Sequence, residues 1–247
     1  MKNKLTDRPI LLSLLAIGAS MPLIWLFLTP IVRLISPWLR PMVLYSGTLL
    51  VTAAFCQECY GKIPFSTDSR GFLRGLFTAG APGLLLAAGS FAVCWQKPQA
   101  FPGWGPVLGF LGTCVLIALS EAFLFRGLIL TALKAKYSLW KAIMLCSLLF
   151  GLRQLLGPAA DSGTAVLPLV QAVSAFFTGV YLCAVYQVTG SLWVCAALHF
   201  LDSFCIGFWG LFSPLSGGSL PGILLFTAVH AIYLPAGWRL LKGQKKI

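Results

Sequence analysis

The chain is poor in charged residues, and acidic residues are the scarcest of them. Only 10% of its 247 residues are charged, whereas a soluble domain carries about a quarter. It contains six acidic residues and two histidines. This leaves no room for a large soluble domain, and no run shows the alternating pattern of a membrane β-barrel strand. What is abundant is apolar: 58% of the residues are hydrophobic, and the mean hydropathy is +0.89.

Long apolar runs predict an all-α, polytopic membrane helix bundle that forms a single domain over residues 1–247. A helix needs about 20 apolar residues to cross the bilayer, and lipid admits only helices once barrels are excluded. The first run continues past Ser20 to Leu28, so we interpret it as a span and not as a cleaved signal segment. About eight spans are predicted on that length criterion, over residues 10–28, 42–55, 76–95, 107–133, 140–156, 165–188, 192–212 and 223–241.

The net charge is +12, and the distribution of the cations along the chain predicts the orientation of the protein in the membrane. Because this distribution accounts for the positive charge, no nucleic acid is expected as a partner. With an even number of spans, about eight, both termini lie on the same side of the membrane. Every lysine and arginine falls on that side except Arg33, Arg40, Lys97 and Arg153. Cytoplasmic segments carry the excess of cations. We therefore expect an integral protein of a bacterial inner membrane, in contact with the lipid bilayer, with both termini in the cytoplasm.

Five polar residues of the apolar runs are predicted at similar depth. Glu121 lies ~18 Å from the cytoplasmic end of its span, and Gln154 lies ~21 Å deep in the next one. His199 lies ~10–15 Å deep, with Asp202 and Ser203 one helical turn beyond it. These side chains can therefore meet near the middle of the membrane.

Glu121 and Asp202 are the only acidic residues inside continuous apolar runs. An ionisable group in a span is costly and usually functional. Glu121 is either a buried ion-pair partner or a general base toward water. His199, with Asp202 and Ser203 on the same helical face, either packs in the interior or lines a polar cavity.

Three further polar residues carry open interpretations. Arg126 either extends to the cytoplasmic interface or holds an anion or a carboxylate in the site. Arg153 needs an acidic partner or a route to the far interface. His230 is interpreted as structural, because no charged residue stands at helical spacing from it.

Metal and cofactor binding are not expected. Cys56 and Cys59 form a CxxC pair, but no second pair and no nearby histidine completes a zinc site. One histidine and two carboxylates near mid-membrane are also a sparse ligand set. The cysteines are interpreted as small apolar residues near an interface.

The polar strings resemble the three motifs of the CAAX protease and bacteriocin-processing (CPBP, or Abi) family of glutamic intramembrane endopeptidases. Glu121-Ala122-Phe123-Leu124-Phe125-Arg126-Gly127 is similar to Glu-Glu-x-x-x-Arg-Gly, with the second Glu replaced. Phe150-Gly151-Leu152-Arg153-Gln154 is similar to Phe-x-x-x-His, with Gln at the last position. His199-Phe200-Leu201-Asp202-Ser203 is similar to His-x-x-x-Asn or Asp. The resemblance covers residues 117–205.

The resemblance implies a bundle of about eight helices and a set of catalytic roles. Glu121 would activate a water, and Gln154 would orient that water without accepting its proton. His199, with Ser203 or Asp202, would bind the oxyanion. Ala122 removes the usual partner of Arg126, and Asp202 is a candidate to replace it.

Three functions are consistent with these residues. The first is an endopeptidase that cleaves a membrane-anchored protein or peptide. The second is a catalytically impaired relative that binds such a partner or serves in immunity, which the changes at Ala122 and Gln154 favour. The third is a small transporter with Glu121, His199 and Asp202 as a proton relay.

Overall fold

The computed structural model describes residues 7–61, 69–93, 101–155, 166–208 and 227–244, and within these ranges it is helical with no strand. The all-α prediction is confirmed. The helices are α1 (Pro9–Gly18), α2 (Ile24–Val32), α3 (Arg40–Tyr60), α4 (Ser69–Thr78), α5 (Ala81–Val93), α6 (Trp104–Glu121), α7 (Thr131–Lys134), α8 (Leu139–Gln154), α9 (Val166–Thr189), α10 (Leu192–Gly207), α11 (residues 227–231) and α12 (Tyr233–Gln244).

Three helical segments of the described chain are long and apolar enough to cross a membrane, and a bent helix pair makes a fourth if it counts as one span. The three are Arg40–Tyr60, Trp104–Lys134 and Pro168–Thr189. The described ranges thus contain three or four such spans, and the larger predicted number stays a prediction. Parts of the predicted spans 76–95, 140–156, 165–188, 192–212 and 223–241 lie outside the described residues.

The bent pair corrects the predicted uninterrupted span over residues 76–95. Gly71–Thr78 and Ala81–Ala92 meet at an angle of 62°. At the bend, a Cβ atom on Gly80 would lie 2.3 Å from the carbonyl oxygen of Leu76. Only glycine permits that approach, so the chain breaks the helix there.

Two segments widen into π-helical turns. Ala19–Leu23 joins α1 to α2 and contains Pro22, whose ring and missing N–H interrupt ordinary α-helical bonding. Ala122–Leu130 joins α6 to α7 directly after Glu121 and carries Arg126. Such turns are frequent at functional sites, and this one follows the acidic residue of the first motif and contains its arginine.

Apolar side chains cover the outside of the bundle as well as its core. Phe27 is 70% exposed and Leu85 is 75% exposed. Soluble monomers rarely expose large apolar patches, whereas lipid-facing helices require them. The buried core next to the polar site is formed by Leu124, Phe125, Leu128, Ile143, Cys146, Phe150 and Val180, among others.

Helices α8 and α9 approach each other closely at glycine. A Cβ atom on Gly151 would lie 2.6 Å from the carbonyl oxygen of Ala172, and one on Gly179 would lie 3.0 Å from the Cβ of Ser147. Small residues permit such close contact between membrane helices. This contact places the end of α8, which carries Arg153, against the rest of the bundle.

Gly151→Ala is therefore expected to lower the free energy of unfolding by about 1–3 kcal/mol, because the added methyl meets backbone that cannot move aside. Gly89→Ala, within helix α5, is the matched control, since nothing lies within 4 Å of its added methyl. That control should be stabilised by about 0.4–1 kcal/mol. Unfolding in detergent micelles followed by circular dichroism measures both, and equal effects would contradict the packing argument.

Candidate active site

Glu121 ends helix α6 and lies at the meeting point of three helices. Its side chain is buried. Nη1 of Arg153, from α8, donates a hydrogen bond to Oε1. Nε2 of His199, from α10, lies 3.2 Å from Oε2. Both carboxylate oxygens therefore face a nitrogen from another helix, and the predicted meeting of Glu121 with His199 is confirmed.

Arg153 has the acidic partner that its predicted position in a span required. It is 2% exposed, and its guanidinium also interacts with the phenol of Tyr45 on α3. Its Cζ lies 5.9 Å from the centre of the Phe125 ring. A buried charge of this kind is stable only when it is paired. Arg153 is thus a site residue that the motifs did not identify, although a cation inside an apolar run was its signal.

Arg126 is completely buried, so the interpretation that it extends to the cytoplasmic interface is wrong. Its Cζ lies 4.8 Å over the ring of Phe150. Within the described part of the chain, none of its three guanidinium nitrogens has a hydrogen-bond partner. Its other neighbours include the thiols of Cys146 and Cys183, and sulfur is a weak acceptor.

Aromatic rings pack against the two arginines and the histidine of the site. The rings of Phe125 and Phe150 pack edge to face with centroids 4.8 Å apart. Arg126 lies over the ring of Phe150, and Arg153 lies over the ring of Phe125. Phe150 also meets the imidazole of His199 at 5.8 Å. The first position of the second motif therefore supports the histidine of the third.

Asp202 faces α11 and α12 instead of Arg126. The hydroxyl of Tyr233 donates to its Oδ1 at 3.4 Å, and Nε2 of His230 lies 3.6 Å from the same oxygen. No ion pair joins Asp202 to Arg126 among the described residues, so the expected replacement of the lost carboxylate is wrong. The acidic neighbour of His230 comes from another helix, where spacing along its own helix could not reveal it.

Tyr233 connects Asp202 and His230 to the bent pair of helices α4 and α5. Its ring stacks on Tyr181 with centroids 4.8 Å apart. The hydroxyl of Tyr181 donates to the carbonyl of Ala79 at 2.8 Å and accepts from the amide of Gly83 at 2.9 Å. Two backbone groups at the bend after α4 thereby gain a partner, and α10 packs beside α5.

Gln154 and Ser203 are half-buried. Gln154 ends α8 directly after Arg153, and no hydrogen bond joins it to Glu121 within the described ranges. The predicted roles of Gln154 in orienting water and of Ser203 in binding an oxyanion stay predictions. No group of three histidine, cysteine or acidic side chains that could hold a metal occurs in the described ranges.

One family model matches the segment that contains helices α6 and α8 and most of helix α10. Residues 103–205 match the family model of type II CAAX prenyl endopeptidase Rce1-like proteins. No curated relative and no solved structure matches the chain. The matched segment contains all three motifs and the Glu121, Arg153 and His199 side chains that meet in the interior. This segment is therefore similar to the Rce1-like group of the CAAX protease family, in agreement with the resemblance of its motifs.

Proposed function

We propose that the chain is an intramembrane endopeptidase of the glutamic type, which cleaves a membrane-anchored protein or peptide with a water activated by Glu121. At the level of the family, the matched segment is CAAX protease-like. The observation that carries the finer proposal is the approach of His199 Nε2 to Glu121 Oε2 at 3.2 Å. Two ionisable groups from separate helices meet in an apolar interior. Because burying such groups is costly, they usually mark a functional site.

The chemistry follows from the placement of these groups. Glu121 accepts a proton from water, and the resulting hydroxide attacks the scissile carbonyl. His199, with Ser203 on the same helix, donates to the oxyanion that forms. When the tetrahedral intermediate collapses, the proton on Glu121 passes to the leaving amine. A positioned base contributes about 10²–10⁴-fold to such a reaction, and one oxyanion donor about 10²–10³-fold.

Arg153 has a positioning role in this proposal. It binds Oε1 and so orients Oε2 toward His199, where the water would be activated. Asp202 positions the helix of His199 through Tyr233. Because the site lies among apolar helices, we place its substrate in the bilayer, and we propose a bacterial inner membrane with both termini in the cytoplasm.

The test is cleavage by the purified protein in lipid nanodiscs. Membrane-anchored peptides are incubated in water labelled with heavy oxygen, and the products are read by mass spectrometry. We expect a cut near the C-terminus and one labelled oxygen in the new carboxylate, because water is the nucleophile. Products without the label would contradict a mechanism based on activated water.

A second candidate is a non-catalytic relative that binds a membrane peptide or serves as an immunity protein. One observation favours it: a guanidinium occupies one oxygen of the carboxylate that would act as base. The replacements at Ala122 and Gln154 remove two further groups of the family's motifs.

Gln154→His separates these two candidates. If the scaffold is catalytic, a histidine at the end of α8 restores a group that accepts a proton, and the cleavage rate should rise by about 10²–10⁴-fold, the contribution of such a group. Gln187→His on α9 is the matched control, because Gln187 binds Lys134 away from the site and should leave the rate unchanged. No cleavage by either variant, with peptide binding retained, would favour the binding protein.

A further inference from the structure

The two buried arginines leave most of their hydrogen-bond donors unused. Within the described ranges, Nε, Nη1 and Nη2 of Arg126 and Nε and Nη2 of Arg153 lack a partner at hydrogen-bond distance and angle. The phenol of Tyr45 lies near Arg153, and the thiol of Cys183 lies near Arg126. Both side chains are at least nine-tenths buried. A buried charged donor without an acceptor is strongly destabilising. Unused donors concentrated on two guanidinium groups therefore point to a ligand with oxygen acceptors.

The charges around Glu121 are also unbalanced. Arg126 and Arg153 both interact electrostatically with Glu121 and with His199. Glu121 supplies one negative charge, whereas Asp202 faces Tyr233 and His230. The immediate surroundings of Glu121 thus hold two guanidinium cations for one carboxylate. One added anion would balance them.

We propose that Arg126 and Arg153 form an anion site that binds the free C-terminal carboxylate of a membrane peptide. The identity of this ligand rests on the proposed function, because it is the end of the chain that the protein would cut. A planar guanidinium binds a carboxylate through two parallel N–H bonds. Phe125 and Phe150, which pack under the two cations, suit the apolar residues that precede such a terminus.

The depth of the two arginines in the membrane favours a peptide carboxylate over a lipid phosphate as the anion. Lipid phosphates lie in the polar layer outside the ~30 Å hydrocarbon core. Glu121 lies ~18 Å along the helix from its predicted cytoplasmic end, and Arg126, which is nearer that end, still lies ~10 Å from it. A peptide terminus can be carried to that depth by its own apolar side chains, whereas a headgroup cannot follow it.

The experiment compares two peptides on the intact protein in phosphatidylcholine nanodiscs. Both have the same apolar sequence and N-methylated backbone amides that resist cleavage, and they differ only in a free acid or an amide at the C-terminus. We expect the acid to bind about ten- to a hundredfold more tightly, as for hydrogen bonds to a charged partner. Equal affinities would overturn the proposal.

Two variants locate the site. Arg126→Gln should bring acid and amide to within about threefold of each other, while the affinity for the amide is unchanged. Arg126→Lys keeps the charge but loses the planar fork, so it should retain part of the preference and shows the result if the glutamine variant does not fold. Arg33→Gln, an exposed arginine, is the control and should retain the full preference. An acid preference that survives both changes at Arg126 would overturn the assignment.

Two further arms separate this inference from its alternatives. If phosphatidylglycerol in the nanodisc abolishes the preference for the acid, the anion is a lipid phosphate and the proposal is wrong. If the acid is preferred but the unmethylated peptide is never cut, the anion site stands and the proposed endopeptidase fails. If that peptide is cut with no preference for the acid, the reverse holds.

Discussion

Glu121→Gln is expected to lower the rate of peptide cleavage by a factor of about 10²–10⁴, the contribution of a positioned general base. The amide keeps the shape of the side chain, and its oxygen still accepts from Arg153, so the fold should persist. The amide cannot take a proton from water, so the reaction loses its base. The measurement is the initial rate of product formation in nanodiscs, read by mass spectrometry, beside a thermal unfolding curve of each variant.

Glu58→Gln is the matched control for this experiment. Glu58 is exposed near the end of α3, so the same change of atoms removes a charge far from the site. Its cleavage rate should equal that of the parent protein. A Glu121→Gln protein that cuts as fast as the Glu58→Gln protein would exclude Glu121 as the base and leave the binding function as the better account.

Arg153→Met is expected to lower the free energy of unfolding by about 3–5 kcal/mol, because it leaves the buried Glu121 carboxylate without its cation. Removing both charges, in Glu121→Gln with Arg153→Met, should cost less than the sum of the two single changes by about 1–3 kcal/mol, as for residues in direct contact. Equilibrium unfolding of the four proteins in the same micelle gives this coupling energy.

Arg33→Met serves as the control for the stability series. Its side chain is exposed, and such substitutions usually change stability by no more than about 0.5 kcal/mol. Additive effects of the changes at Glu121 and Arg153 would show that the pair does not interact in the folded protein. The site would then need another explanation for two charges in its interior.

The positions of Glu121 and His199 could be predicted because depth in a membrane is readable from a sequence. Each residue adds a fixed rise to a helix, so the distance of a polar residue from the end of its apolar run states where it lies. The motif resemblance added the expectation that these two residues meet. The approach of His199 to Glu121 agrees with the structure, and the depth of the two residues in the membrane stays a prediction.

The partner of Arg153 could not be predicted in the same way. Arg153 and Gln154 are neighbours in sequence and differ by about 100° around the helix. Which of them faces Glu121 depends on how α8 rotates when Gly151 packs against α9. The family's motif pointed to position 154, whereas the packing turned position 153 toward the carboxylate.

Asp202 and the broken span show the same limit. The choice of Asp202 between Arg126 and Tyr233 depends on the rotation of α10 against α12. The bend between α4 and α5 becomes stable because Tyr181, from α9, binds the backbone groups that it frees. These partners come from helices distant in the chain, and no spacing along one helix contains them.

By itself, the sequence determined that the chain is an all-α membrane protein and predicted that a few costly polar residues share one depth, because hydropathy and helical rise are local properties. The tertiary structure alone decided which of those residues touch. Helix rotation, close approach at glycine and the π-helical turn after Glu121 set each side chain's direction, and they arise only when helices pack together. The Glu121–Arg153 pair and the unused donors of Arg126 are the result of that packing.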